Sequence, residues 1–267
     1  MKIPFHKLHG AKNDFLITPA AGVPITDLQE LAMAICNRHS GVGADGWIIL
    51  DRTEGPDYDA AIRVFNSDGS EPEISGNGTR CAALLMAREG AEGAIRILTG
   101  AGVKELRPLC DIGDREVRFE MDMGSVKVLD LHARVQGFDA VLTDVGNPQC
   151  AIPVVGFDFE WRSAGAAIEN DPRFPKRTNV SFIRPVDRHT IDVRFWERGA
   201  GETASSGTGS TGAALAAIAR GLAESPVTVL TPAGPLELRF EEGSACLIGP
   251  AEYIADGFFS YGKIVNQ

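Results

Sequence analysis

No apolar run in this chain approaches the roughly 20 residues that a membrane span needs, and Met1-Lys2-Ile3-Pro4-Phe5-His6-Lys7 lacks the apolar core of a secretory signal. No Lys/Arg-rich stretch is present either. With 26 Lys and Arg against 36 Asp and Glu, the formal charge is −10. That balance argues against a nucleic-acid partner, although a local cation can still hold an anionic ligand at contact distance. The five cysteines, Cys36, Cys81, Cys110, Cys150 and Cys246, are odd in number and widely spaced. They match neither a zinc pattern nor a disulfide framework and fit a reducing cytoplasm. The expectation is a soluble cytoplasmic chain with no metal, membrane or nucleic-acid partner.

What the chain does contain is a repeat. Ile62-Arg63-Val64-Phe65-Asn66 reads like Val193-Arg194-Phe195-Trp196-Glu197, and Ser75-Gly76-Asn77-Gly78 reads like Ser206-Gly207-Thr208-Gly209. Leu98-Thr99, Ala101-Gly102 and Glu105-Leu106-Arg107 recur as Leu230-Thr231, Ala233-Gly234 and Glu237-Leu238-Arg239. The offset is 131 residues at the serines (206 − 75) and 132 at the later block (230 − 98). In a chain of 267 residues this favours two domains of roughly 120 residues each. We place the first at 1–117 with 252–267 and the second at 118–251, with a hinge near Arg115 to Val117.

Period and punctuation give the repeated unit. Ala60 to Phe65, Ile191 to Trp196, Ile95 to Leu98 and Val227 to Leu230 read as strands. Between each pair lies an Ala/Leu-rich stretch of helical composition, Thr79 to Arg88 and Ser210 to Arg220, with Gly90 and Gly221 just after. A further helix is expected over Asp27 to Arg38, capped by Thr26, and Tyr253 to Val265 is expected to return to the first domain.

Each unit sets Ser-Gly-x-Gly at the start of a helix, where free N–H groups and the positive dipole end favour an anion. A lone serine there reads simply as an N-cap. Two matched loops point instead to a paired site, with a carboxylate seated between two helix N-termini.

These blocks resemble the signature of the diaminopimelate epimerase family. The resemblance runs through His9-Gly10-Ala11-Lys12-Asn13-Asp14-Phe15, Gly41-Val42-Gly43-Ala44-Asp45-Gly46, Asn66-Ser67-Asp68-Gly69-Ser70-Glu71 and Ser75 to Cys81. It continues in Val145-Gly146-Asn147-Pro148, Thr178-Asn179-Val180, Glu197 to Thr203 and Gly249-Pro250-Ala251. It implies two pseudo-symmetric α+β domains, each a mainly antiparallel sheet wrapped around a central helix, with the active site between them. It also implies a cofactor-free, PLP-independent isomerase of lysine biosynthesis, which inverts the α-carbon of an amino acid by two-base proton transfer. A homodimer is compatible with that reading.

Ser75 and Ser206 stand where the family carries its two thiols, and an alcohol is a far weaker acid than a thiol. His6, His9, His39, His132 and His189 are all remote from them in sequence, and Cys81 reads as core. By resemblance, Asn13, Asn66, Asn147, Asn179 and Arg198 hold the distal end of the substrate, and Glu197 faces its ammonium group. Gly76, Asn77, Gly207 and Thr208 take the α-carboxylate. Gln149 and Gly46 depart from the histidine and glutamine found in relatives. Three explanations of the serines stay open: an engineered Cys-to-Ser pair that traps substrate, a natural isomerase or lyase using Ser75 or Glu71 on another amino acid, and a natural amino-acid-binding protein.

Overall fold

The computed structural model describes residues 1–24, 27–53, 55–113 and 116–262. The chain divides into two compact units, one of residues up to Phe119 together with those from Pro250 on, the other Glu120–Gly249. The first unit holds β1 (Lys2–Gly10), β2 (Asn13–Pro19), α1 (Leu28–Cys36), β3 (Gly46–Asp51), β4 (Ala60–Asn66), α2 (Gly76–Arg88), β5 (Ile95–Thr99) and β6 (Gly102–Pro108). Strand β7 (Glu116–Ser125) carries the chain into the second unit. There follow β8 (Lys127–Val135), β9 (Phe138–Asp144), β10 (Pro148–Pro153), α3 (Trp161–Glu169), β11 (Asn179–Asp187), β12 (Thr190–Glu197) and β13 (Gly201–Thr203). The set closes with α4 (Gly207–Ala219), β14 (Val227–Thr231), β15 (Gly234–Glu241) and β16 (Ser244–Ser260). The far end of β16 pairs with β1, from His9 opposite Glu252 to Lys2 opposite Ser260.

The repeat in sequence is a repeat in strand pairing. β1–β2, β3–β4 and β5–β6 are antiparallel, while β2–β3 and β4–β5 are parallel. In the second unit β9–β10, β11–β12 and β14–β15 are antiparallel, while β10–β11 and β12–β14 are parallel. Each parallel pair encloses a helix, because only a long crossover returns the chain in the same direction. The result is a two-domain α+β fold, mainly strands with few helices.

α2 and α4 are the central helices. Every residue of α2 from Gly76 to Ala87 is buried, as are Ala213, Ala214, Ala216 and Ala217 of α4. A helix covered on all sides needs small residues for close approach and shows no polar stripe. The first unit packs Ile3, Leu16, Leu31, Trp47 and Phe65 together, with the Trp47 indole N–H donating to Thr18 Oγ1 at 2.9 Å. In the second, the Phe182 ring lies 5.6 Å from Phe159, 6.0 Å from Trp161 and 6.4 Å from Phe138.

Several boundaries differ from the sequence reading. α2 and α4 begin three residues early, at Gly76 and Gly207, because the serine caps set the start despite the low helix propensity of glycine. α1 is capped by Asp27, which accepts from the N–H groups of Gln29 and Glu30, and the expected cap Thr26 lies outside the described residues. α1 ends at Cys36 because Asn37 is extended and its Oδ1 accepts from the N–H groups of His39 and Ser40. Of the expected hinge, residue 115 lies outside the described residues, while Glu116 and Val117 open β7. Residues 263–265 of the returning segment are likewise outside them. No helix among the described residues is long and apolar enough to cross a membrane.

Candidate active site

In the second unit, Ser206 caps α4 from extended backbone, its Oγ accepting the Gly209 N–H at 3.1 Å. The same hydroxyl donates its proton to Glu197 Oε2 at 2.9 Å, and Thr203 Oγ1 donates to Glu197 Oε1 at 2.7 Å. A tight reversal makes this meeting: β12 ends at Glu197 and turns back as β13, with Gly201 (φ 77°) opposite Glu197. Burial pushes the Glu197 carboxyl above the ordinary glutamate range, and the two hydroxyls offset only part of that rise. The residue keeps some exposed surface while its carboxyl end is enclosed.

Around it, Asn179 Nδ2 donates to the Pro148 carbonyl at 3.1 Å and Asn179 Oδ1 accepts the Arg198 N–H at 3.0 Å. That buried amide therefore fastens the loop that carries Arg198, and retains one N–H and one lone pair. Arg198 Nη1 donates to the Lys176 carbonyl at 3.4 Å. Asn147 donates to Thr208 Oγ1 at 3.4 Å and accepts from Gln149 Nε2 at 2.6 Å.

In the first unit, Ser75 caps α2 in the same way, its Oγ accepting the Gly78 N–H at 3.1 Å. The residue nine places ahead of Ser75 (75 − 66) is Asn66, matching Glu197 ahead of Ser206 (206 − 197). Asn66 Nδ2 donates to Ser70 Oγ at 2.9 Å. Among the described residues, no acid or imidazole hydrogen-bonds the Ser75 hydroxyl. Glu71 is held by Arg63 through two bonds of 2.8 and 2.9 Å, which keeps its carboxyl below the usual range and makes it a weak base.

Asn77 donates to Asn13 Oδ1 at 3.1 Å, and Asn13 Nδ2 donates to Asp45 Oδ2 at 2.9 Å, so the Asn13 amide is oriented from both ends. The turn before it carries Ala11 and Lys12 at φ 49° and 62°, a left-handed pair that side chains usually avoid. Behind this turn Arg38 binds both Asp14 and Asp45, at 2.7 and 2.8 Å. Burial raises the Asp14 carboxyl, but Arg38 and Lys7 outweigh it and hold the group low.

Arg80 is 0% exposed, with Nη2 on Asn77 Oδ1 and Nε on the Pro250 carbonyl at 3.2 Å, while its Nη1 has no partner among the described residues. Burial draws its guanidinium down to about 10, so it stays charged at neutral pH. Cys81 is fully buried and its thiol is pushed up to about 12, a core group as expected.

Sequence reasoning left out Thr203 and Arg80. The nine-residue spacing shared by both loops was the available signal for the Glu197–Ser206 contact. A Cβ added at Gly209 would lie 2.9 Å from Phe195 Cδ1 and from both Cβ and Oγ of Ser206. Gly209→Ala is therefore expected to displace the cap and to destabilise by about 1–3 kcal/mol, despite alanine's better helix propensity. Urea midpoints at constant slope measure this, and an unchanged midpoint would show that the loop yields freely.

The family profile described as diaminopimelate epimerase matches residues 5–129 and 141–254. The diaminopimelate epimerase of Pelotomaculum thermopropionicum is 36% identical over 280 residues, covering 96% of this chain and 99% of its own. That of Azotobacter vinelandii is 37% identical over 275 residues, covering 96% and 99%. Two solved structures share the fold at low identity. A phenazine biosynthesis protein of the PhzF family from Bacillus anthracis gives a TM-score of 0.72 at 14% identity, covering 98% of this chain and 100% of that one. A probable proline racemase from Agrobacterium radiobacter, solved with bound carbonate, gives 0.72 at 17%, covering 98% and 93%. The chain belongs to the diaminopimelate epimerase family, and is an isomerase-type enzyme.

Proposed function

We propose that this chain interconverts LL- and meso-diaminopimelate by proton transfer at the α-carbon, with Ser75 and Ser206 as its two acid–base groups. The observation that carries the reading is the matched pair of hydroxyl caps, each on the first turn of a buried central helix. Two such helix ends favour the α-carboxylate and the negative charge that develops when the α-proton leaves. Asn13, Asn66, Asn147, Asn179 and Arg198 receive the distal amino-acid end in this reading. The protein groups alone move the proton, so no cofactor is required. The same reading puts the enzyme in the cytoplasm, on the route to lysine, and a homodimer is its proposed assembly.

Arg198→Ala tests the distal site. The planar guanidinium suits a carboxylate, and a charged hydrogen bond is worth roughly 1.5–3 kcal/mol. Calorimetry should therefore show affinity for diaminopimelate falling about 10- to 100-fold, with little change for an amino acid that lacks a distal carboxylate. Equal loss for both ligands removes Arg198 from the distal site.

A second reading, epimerisation of another amino acid, is favoured by one contact. Gln149 donates to Asn147 Oδ1 and so takes one of the two lone pairs that the distal group would otherwise use. A binding panel of amino acids with different distal groups separates the two readings by rank of affinity.

A further inference from the structure

In the first unit a hydrogen-bond chain joins a buried cation to a carboxylate through two side-chain amides. Arg80 Nη2 donates to Asn77 Oδ1, Asn77 Nδ2 donates to Asn13 Oδ1 at 3.1 Å, and Asn13 Nδ2 donates to Asp45 Oδ2 at 2.9 Å. All three bonds run in one direction. We propose that Arg80 and Asp45 are positioning residues, which set from opposite ends the way the Asn77 and Asn13 amides face and so couple these two ligand-binding groups.

The two ends leave the amides no alternative arrangement. A guanidinium only donates and a carboxylate paired with Arg38 only accepts, whereas an amide donates from one side and accepts from the other. Turning Asn77 over would set its NH2 group against the guanidinium. Turning Asn13 over would set its oxygen against Asp45 and its NH2 group against that of Asn77. Either turn breaks two bonds of the chain, and turning both amides breaks the two end bonds. The cation and the carboxylate also polarise the chain in the same sense, so each link strengthens the next.

The ends are themselves fixed. Arg80 is 0% exposed, and its Nε is held by the Pro250 carbonyl at 3.2 Å. Asp45 Oδ1 accepts from Arg38 at 2.8 Å, and its Oδ2 also takes the Asp14 N–H at 3.1 Å. Asp14 Oδ1 in turn accepts the Asp45 N–H at 3.0 Å. Between the ends, Asn77 is buried against β1, where a Cβ added at Gly10 would lie 3.2 Å from its Cα, Cβ and carbonyl oxygen. After its two bonds the Asn13 amide keeps one N–H and one lone pair for a ligand.

The functional half of the proposal rests on the reading above, with Asn77 at the α-carboxylate and Asn13 at the distal end, whereas the chain is tested without ligand. In the free protein, nitrogen NMR of the side-chain amides should show the Asn77 resonance shifting on Asp45→Asn, although Asn13 stands between them. An amide at position 45 donates as well as accepts, so that end no longer dictates a direction. Arg80→Met, which removes the donor and keeps an unbranched side chain, should likewise shift the Asn13 resonance. A far amide that stays in place in Asp45→Asn overturns the coupling, and that arm stands even where the buried Arg80 variant fails to fold.

Calorimetry with diaminopimelate then reads the consequence. Each single variant should lose affinity about 10-fold, roughly the worth of one charged hydrogen bond. The double variant should also lose about 10-fold, because the chain is already broken, whereas independent positions would multiply to about 100-fold. The multiplied loss overturns the proposal, as does full affinity in a variant whose far amide has shifted. If the unaltered protein does not bind diaminopimelate, the substrate reading fails, and the resonances of the free protein still support or overturn the coupling.

Discussion

Replacing both cap serines, Ser75→Cys with Ser206→Cys, is expected to raise epimerisation of diaminopimelate sharply. A helix N-terminus can bring a thiol from about 8.5 to near neutrality. An alcohol titrates too high for the same field to ionise it. Each acid–base group contributes on the order of 10²- to 10⁴-fold, so the double variant should gain at least about a thousandfold in inversion. Each single variant should remain poor at inversion, since one of the two acid–base groups is still inadequate. Of the two, Ser75→Cys should gain more, because the Ser206 hydroxyl already has Glu197 behind it. Conversion of LL- to meso-diaminopimelate, followed with deuterium incorporation, measures both. A double variant that folds and binds diaminopimelate yet neither exchanges nor inverts would show the substrate assignment to be wrong.

The second large effect is on stability. Phe182 on β11 is 0% exposed and lies edge-on to Phe138, Phe159 and Trp161. Phe182→Ala removes those ring contacts and leaves a cavity among rigid neighbours, for which a cost of about 3–5 kcal/mol is expected. Against a typical total stability of roughly 5–15 kcal/mol, that removes a large share of the margin by which the folded state is favoured. Urea unfolding followed by tryptophan fluorescence reads the loss directly. A cost under about 1 kcal/mol would mean that the aromatic cluster repacks, in conflict with the close packing of protein interiors.

The duplicated architecture was legible because a repeated order of strand, glycine loop, helix and strand survives in the spacing of a few residues, such as Arg63 with Arg194 and Ser75 with Ser206. The helix starts were legible only in part, since Gly76 and Gly207 look like loop by propensity, and it is the reading of Ser75 and Ser206 as N-caps that gives the first turns. The Glu197–Ser206 bond was hidden for a different reason. Neighbours along the chain are a poor guide when a strand reverses, and here the reversal through Gly201 brings the carboxylate back to the cap. Arg80 was hidden by habit of composition. Arginine is usually exposed, and nothing within α2 alone announces that protein covers the helix on every side.

That enclosed guanidinium has a consequence for how the first unit meets an anion. Dissolved ions weaken the pull of surface cations, over a screening length of about 8 Å at 0.15 M and about 3 Å at 1 M. Arg80, with 0% of its surface in reach of solvent, offers no position for a counter-ion beside it. Its charge therefore acts on the first turn of α2, through Asn77, at nearly constant strength whatever the ionic strength outside. Brine that silences the exposed arginines and the chain's overall charge of −10 leaves this one cation still at work.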